Sequence, residues 1–313
     1  MKKRILPLSS LLPQLLQLQL LLLLLLPLLG ISFSGCSQKS DKQLVIFHAG
    51  SLSLPMKALA DSFTVLHPET QFRMEAAGSV DCARKITELG RSCDLLASAD
   101  YQVIEQLLIP EHAYINEPFA VNSMVIAFTE RSRHADEINS GNWPEILLSP
   151  DVFYGRSDPN TDPCGYRTLL MLQLAEDHYR EKPGIRPFKV TDFTPKDRRF
   201  IRPKEVDLLA LLGNHSIDYI FIYKSVALQH KLRYLELPDE INLGNPSMAP
   251  RYAVASLNIR GSSPADSLTV KGTPIVYSYT IPLNAENPEL AKKFADFLTD
   301  PHGGQKILRS MGQ

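Results

Sequence analysis

Two places in the chain share one construction, Ala49-Gly50-Ser51-Leu52 and Ala77-Gly78-Ser79-Val80. Each lies between a strand-like run and a segment of helical periodicity. Glycine lets a backbone approach a ligand closely. The serine sets a hydroxyl beside the unpaired N–H groups of a helix start, which suits an anion without any full positive charge. Either pair alone reads as a serine capping its own helix; two pairs at one edge of one sheet read as a shared anion site. Asp162 lies in the loop DPNTDPC, Glu205 in RPKE, and Tyr223 at the end of the run Ile220–Tyr223. Singly, each has a structural reading: Asp162 before Pro163 sets a turn, Glu205 favours a helix start through the dipole, and Tyr223 fills a core. No GxSxG, HExxH or Walker A sequence occurs, and His48, His215 and His230 have no evident partners, so little supports an enzyme.

The elements that must position these residues alternate in type. Leu44–Phe47 reads as a buried strand and Phe72–Ala77 and Cys93–Ala97 as two more strands, each followed by a helical stretch (from Ser51 as N-cap, over Val80–Leu89, and around Tyr101–Leu108). This order predicts a parallel sheet covered by helices. Phe119–Phe128 reads as one long apolar strand and a crossover. Helices are expected over Tyr166–Arg180, from Arg202 to Leu212 and over Glu289–Leu298, with strands at Ile217–Ile222 and Ile275–Ile281. The order suits two α/β lobes, residues 44–122 plus 273–313 and residues 123–272, with a ligand in the cleft between them.

The chain has 313 residues and a formal net charge of −1. Lys2, Lys3 and Arg4 are the only charges before Cys36, which leaves 30 cations against 34 acids, a net −4, on the remainder. An acidic body argues against a nucleic-acid binder. The first 35 residues run basic, then Leu-rich, then small (Phe33-Ser34-Gly35-Cys36), the order of a secretory signal. Ser34-Gly35 before Cys36 resembles a bacterial lipobox, with Cys36 lipidated, although Phe33 departs from the usual aliphatic residue. A single membrane anchor is the other reading; both place the body outside the cytoplasm. Cys82, Cys93 and Cys164 allow three single disulfides, and sequence does not choose among them.

Longer motifs make a family recognisable. HAGSL at 48–52, EAAGSVDCARKITEL at 75–89, DPNTDPCGYR at 158–167, RPKEVDLLALL at 202–212 and IDYIFIYKSVALQH at 217–230 together resemble the tungstate/molybdate-binding proteins of the archaeal type, which are solute-binding components of ABC importers. The resemblance runs from about Leu44 to Gln313. It implies a type II fold of the periplasmic-binding-protein kind and no cofactor. It implies a monomer that delivers tungstate or molybdate to a membrane permease with its ATPase, while the lipid anchor is the expectation from Cys36. Carried over by motif, the ion would be held by Gly50, Ser51, Ser79, Asn160, Thr161, Asp162, Glu205 and Tyr223. Arg84 and Lys85 are expected on a solvated helix face, and Arg167 as an orienting residue for the 158–167 loop.

Two carboxylates at an anion site repel the ligand's charge, unless they reach its centre. In tungstate or molybdate the central atom is large and highly charged, and accepts hard oxygen donors from Asp162 and Glu205. Sulfate and phosphate have no such capacity, so for them the same pair is repulsive. A binder of one of those tetrahedral anions on the same fold is the alternative.

Overall fold

The structure is a computed structural model and describes residues 42–261 and 266–313. The expected signal over residues 1–35 and the lipidation of Cys36 lie outside the described residues. The strands are β1 (Gln43–Ala49), β2 (Gln71–Ala77), β3 (Leu95–Ser98), β4 (Glu117–Val121), β5 (Met124–Phe128), β6 (Tyr154–Ser157), β7 (Ile201–Arg202), β8 (Tyr219–Tyr223), β9 (Arg233–Glu236), β10 (Ser256–Arg260), β11 (Ser267–Lys271) and β12 (Val276–Thr280).

They form two five-stranded sheets, ordered β2-β1-β3-β12-β4 and β7-β6-β8-β5-β9, with β10 and β11 as a separate antiparallel pair. In the first sheet β1 runs parallel to both β2 and β3. Its other half departs from the parallel expectation: β12 is antiparallel to β3 and to β4. In the second sheet β6 is parallel to β7 and β8, while β5 is antiparallel to β8 and β9. Both sheets are therefore mixed, because the chain enters each from the other instead of through a local crossover helix.

The same exchange breaks the expected strand 119–128 in two. β4 ends in the first sheet at Val121 and β5 begins in the second at Met124. Asn122 and Ser123 make the step, and the Asn122 N–H donates to Ile275 O at 3.3 Å, beside the chain's return before β12.

Helices Ser53–Leu66, Ser79–Thr87 and Tyr101–Leu107 follow the first three strands. Pro163–Tyr179 is the longest helix among the described residues and packs on β6 and β8. The stretch expected as one helix to Leu212 instead opens with a 3-10 turn, Glu205–Asp207, before the helix Leu208–Gly213. Each sheet has its own aromatic cluster. Phe63, Phe72 and Phe294 meet edge to face beside the first, and Trp143, Phe188, Phe193 and Phe221 pack in tilted and edge-to-face pairs beside the second. Burying each such ring contributes about 1.5–3 kcal/mol, which fixes the frames on which the site residues sit.

Candidate functional site

The two Gly-Ser turns leave the ends of β1 and β2, which pair side by side through Ala49 and Ala77. Neither serine caps a helix. Gly50–Leu52 forms a 3-10 turn and the following helix starts from Leu52, so the expected Ser51 cap is absent; Ser51 Oγ instead accepts a hydrogen bond from the Tyr277 hydroxyl at 2.9 Å. Ser79 begins its helix after Gly78, again without a side-chain cap, and its Oγ accepts the Ala99 N–H at 2.9 Å. Both serines are buried.

The two acids come from the second sheet's side. Asp162 precedes the helix Pro163–Tyr179, and its Oδ1 accepts the Cys164 N–H at 3.2 Å. Its Oδ2 accepts the Glu205 N–H at 2.9 Å. Both carboxyls are buried, and neither Oε1 nor Oε2 of Glu205 has a hydrogen-bond partner. The Glu205 carboxyl lies against Gly50: a Cβ at that glycine would stand 2.9 Å from Oε2 and 3.2 Å from Oε1. Burial pushes the Glu205 pKa well above the carboxylate range, and the neighbouring Asp162 charge adds to it. Burial raises Asp162 as well, against its hydrogen bonds. A buried acid with unpartnered oxygens is costly, and is suited to donate those oxygens to a positive centre.

The first-sheet and second-sheet sides touch closely around these groups. At Gly78 a Cβ would fall 2.1 Å from the Thr161 carbonyl oxygen, which also accepts the Asp81 N–H at 3.2 Å. Only glycine permits that approach. Behind the acids, Arg167 from the helix Pro163–Tyr179 reaches the first-sheet side. Its Nη2 lies 3.0 Å from Asp100 Oδ2, and its Nη1 donates to Ala99 O at 2.6 Å and to the Tyr223 hydroxyl at 3.0 Å. Tyr166 donates to the same Asp100 oxygen at 2.6 Å. Burial works against the Arg167 charge, while Asp100 and the Tyr223 and Tyr166 hydroxyls favour it, and the net effect holds its pKa above the usual range. Its role is thus wider than orienting one loop.

The structure brings Gly50, Ser51, Asp162 and Glu205 together; Ser79 and Tyr223 are linked to each other through Ala99 and Arg167, and the Tyr223 ring packs against Tyr277, the donor to Ser51. The side chains of Asn160 and Thr161 are spent on the loop itself. Asn160 is exposed, and its Oδ1 accepts the Arg260 N–H at 3.0 Å; the Thr161 hydroxyl donates to Pro203 O at 2.7 Å. What Thr161 gives the site is its backbone.

One expectation is overturned. Arg84 is buried and not solvated: it donates to Asn160 O at 2.5 Å and to Arg260 O at 2.6 Å, clamping the loop. Its buried helical neighbours Val80 and Ala83 sit on the same face, a periodicity that marks the position. Lys85 is also largely covered, paired with Glu75 at 2.5 Å. Tyr277 and Asn122 carried no local signal at all. Cys82, Cys93 and Cys164 are free and buried, and burial raises the Cys82 thiol to about 12. Among the described residues no group of three or more His, Cys, Asp or Glu could hold a metal ion, and no helix is long and apolar enough to cross a membrane.

Comparison with known proteins bears on the whole described body. Residues 44–312 match the family described as bacterial extracellular solute-binding protein. An uncharacterized solute-binding protein of Petrotoga mobilis is 50% identical, over 87% of this chain and 83% of its own. A molybdate/tungstate-binding protein of Pyrococcus abyssi is 43% identical, over 88% of this chain and 85% of its own. Among solved structures, the periplasmic molybdate-binding protein of Azotobacter vinelandii superimposes with a TM-score of 0.60 at 14% identity, covering 86% of this chain and 97% of that one, a likeness of fold. The two mixed sheets are those of a two-lobed, type II binding protein. With two sheets of one chain meeting around a buried polar site and a family match over nearly its entire described length, this protein belongs to the bacterial extracellular solute-binding proteins.

Proposed function

We propose that the protein captures tungstate or molybdate outside the cytoplasm and hands the ion to an ABC permease powered by its ATPase. The observation that carries this reading is the meeting of Asp162 and Glu205, buried, hydrogen-bonded through one amide, with the Glu205 oxygens unpartnered. The 43% identical molybdate/tungstate-binding relative supports it. A tetrahedral anion set there would take donors from the Gly50-Ser51 turn, Ser79 and Tyr223, with the Asn160–Thr161 backbone closing the loop side. The two carboxylates would approach its metal centre as hard oxygen ligands.

In this reading the lobes are residues 44–122 plus 273–313 and residues 123–272, closing on the ion by hinge motion. No bond is broken and no cofactor is used, so the protein is not an enzyme. It works as a monomer, tethered through a lipidated Cys36 after removal of residues 1–35. Calorimetric titration of the body from Cys36 onward with tungstate, molybdate, sulfate and phosphate tests it. Tight binding is expected for the first two only; equal affinity for sulfate overturns the role given to the carboxylates.

A further inference from the structure

The hydroxyls around the site have a fixed polarity. Asn122 Oδ1 accepts the backbone N–H groups of Ser123 at 3.0 Å and Ser225 at 3.2 Å, which decides which end of its amide is the oxygen. Its Nδ2 then faces the Ser225 hydroxyl at 2.7 Å and the Tyr277 hydroxyl at 3.2 Å, and an amide nitrogen only donates. Having accepted, the phenol gives its one proton to Ser51 Oγ. Ser51 keeps its own proton to give, at the turn against which the Glu205 carboxyl packs. Two other hydroxyls are treated alike: Ser79 accepts from Ala99 N–H, and Tyr223 accepts from Arg167. Asn122, Ser51, Ser79, Tyr223 and Tyr277 are all buried, so bulk water does not compete for these bonds.

We propose that Tyr277 and Asn122 are positioning residues for the captured ion, acting through Ser51. They hold the Ser51 hydroxyl as a donor, so that together with Ser79 and Tyr223 it presents protons to an oxyanion whose oxygens can only accept. The proposal rests on the oxyanion-binding reading above. It also gives the relay a place in the fold: Asn122 stands at the step between β4 and β5, and Tyr277 lies in β12 just after the chain returns, so the first donor in the relay belongs to the crossing itself.

The test is a double-mutant cycle on tungstate affinity, with apo thermal melting alongside. Tyr277→Phe keeps the ring packed between Phe119 and Tyr223 and removes only the hydroxyl. It should weaken tungstate binding by about tenfold, the scale of one hydrogen bond to a charged group. In a Ser51→Ala background the same substitution should change nothing more. Asn122→Asp keeps the acceptor for both backbone N–H groups but turns the phenol's proton toward the new carboxylate, and should behave the same way; it answers the question if Tyr277→Phe does not fold. Unchanged affinity in Tyr277→Phe, or losses that add independently to that of Ser51→Ala, overturn the relay while leaving the binding function standing. Failure of the unaltered protein to bind tungstate or molybdate overturns that function, and the relay with it.

Discussion

Asp162 and Glu205 meet as carboxylate and amide: the Glu205 N–H donates to Asp162 Oδ2 at 2.9 Å. The two acids are therefore unequal. Asp162 is fixed by two backbone donors, Cys164 N–H on one oxygen and Glu205 N–H on the other, whereas both Glu205 oxygens are buried without a partner. One acid builds the loop; the other carries the uncompensated cost.

That inequality separates two substitutions of similar chemistry. Glu205→Gln should weaken tungstate binding by about a hundredfold or more while leaving apo stability unchanged or raised, since it removes a buried acid that has no partner. Asp162→Asn should weaken binding as well, and should also lower apo stability by about 1–3 kcal/mol, because its new NH2 group confronts a backbone N–H. Calorimetry and thermal melting of each variant give the two numbers. Unchanged affinity in both would show that neither acid is a ligand.

Gly78→Ala should abolish tungstate binding while the protein still folds. Its methyl group would stand 2.1 Å from the Thr161 carbonyl, a clash between the first-sheet and second-sheet sides and not within either. An apo melting temperature near that of the unaltered protein, with no heat on titration, is the expected pair of results. Normal binding would mean that the two sides need not meet here.

Arg167→Met should lower the melting temperature and the affinity together, leaving Asp100 buried without its cation. Breaking one member of a buried pair costs about 3–5 kcal/mol. Adding Asp100→Asn should restore part of the stability by removing the stranded charge, but not the affinity, because Tyr223 and Ala99 have still lost their donor. Melts and titrations of the single and double variants check this.

Acid should erode one contribution outside the site. Hydrogen bonds from Arg91, with help from Lys85, lower the Glu75 pKa from 4.5 to about 2. A depressed acid stabilises the fold fully above its unfolded pKa, and that contribution disappears as pH falls from about 4.5 through about 2. The pair is partly exposed, so the effect is small and salt-sensitive. Glu75→Gln should flatten the fall in melting temperature over that window; an identical pH profile for the variant would refute the assignment.

Much of this was legible in the chain because the signals are local. The apolar runs of β1 and β3, the alternation of β2 and the glycines before Ser51 and Ser79 announce themselves within a few residues. What escaped depends on distant partners. At Asn122 the only interruption of the apolar run from Phe119 to Phe128 is the polar pair Asn122-Ser123, without glycine or proline, too weak a turn signal by itself; the strand divides there because its halves pair with different sheets. The direction of β12 is set by a return from the second sheet, not by its own residues. Ser51 looked like a cap until Tyr277, far along the chain, supplied it with a different partner.

The place of β12 between β3 and β4 also orders events in time. β4 joins its sheet only through β12, a strand synthesised after every strand of the second sheet. A chain emerging from its N-terminus can pair β1 with β2 and β3 early, yet β4 must wait without a neighbour in that sheet until residues near 280 arrive. β12 is thus a keystone. A truncation that removes β12 would deprive β4 of its sheet and Ser51 of Tyr277 in one stroke, so that a chain must include β12 to be competent to bind.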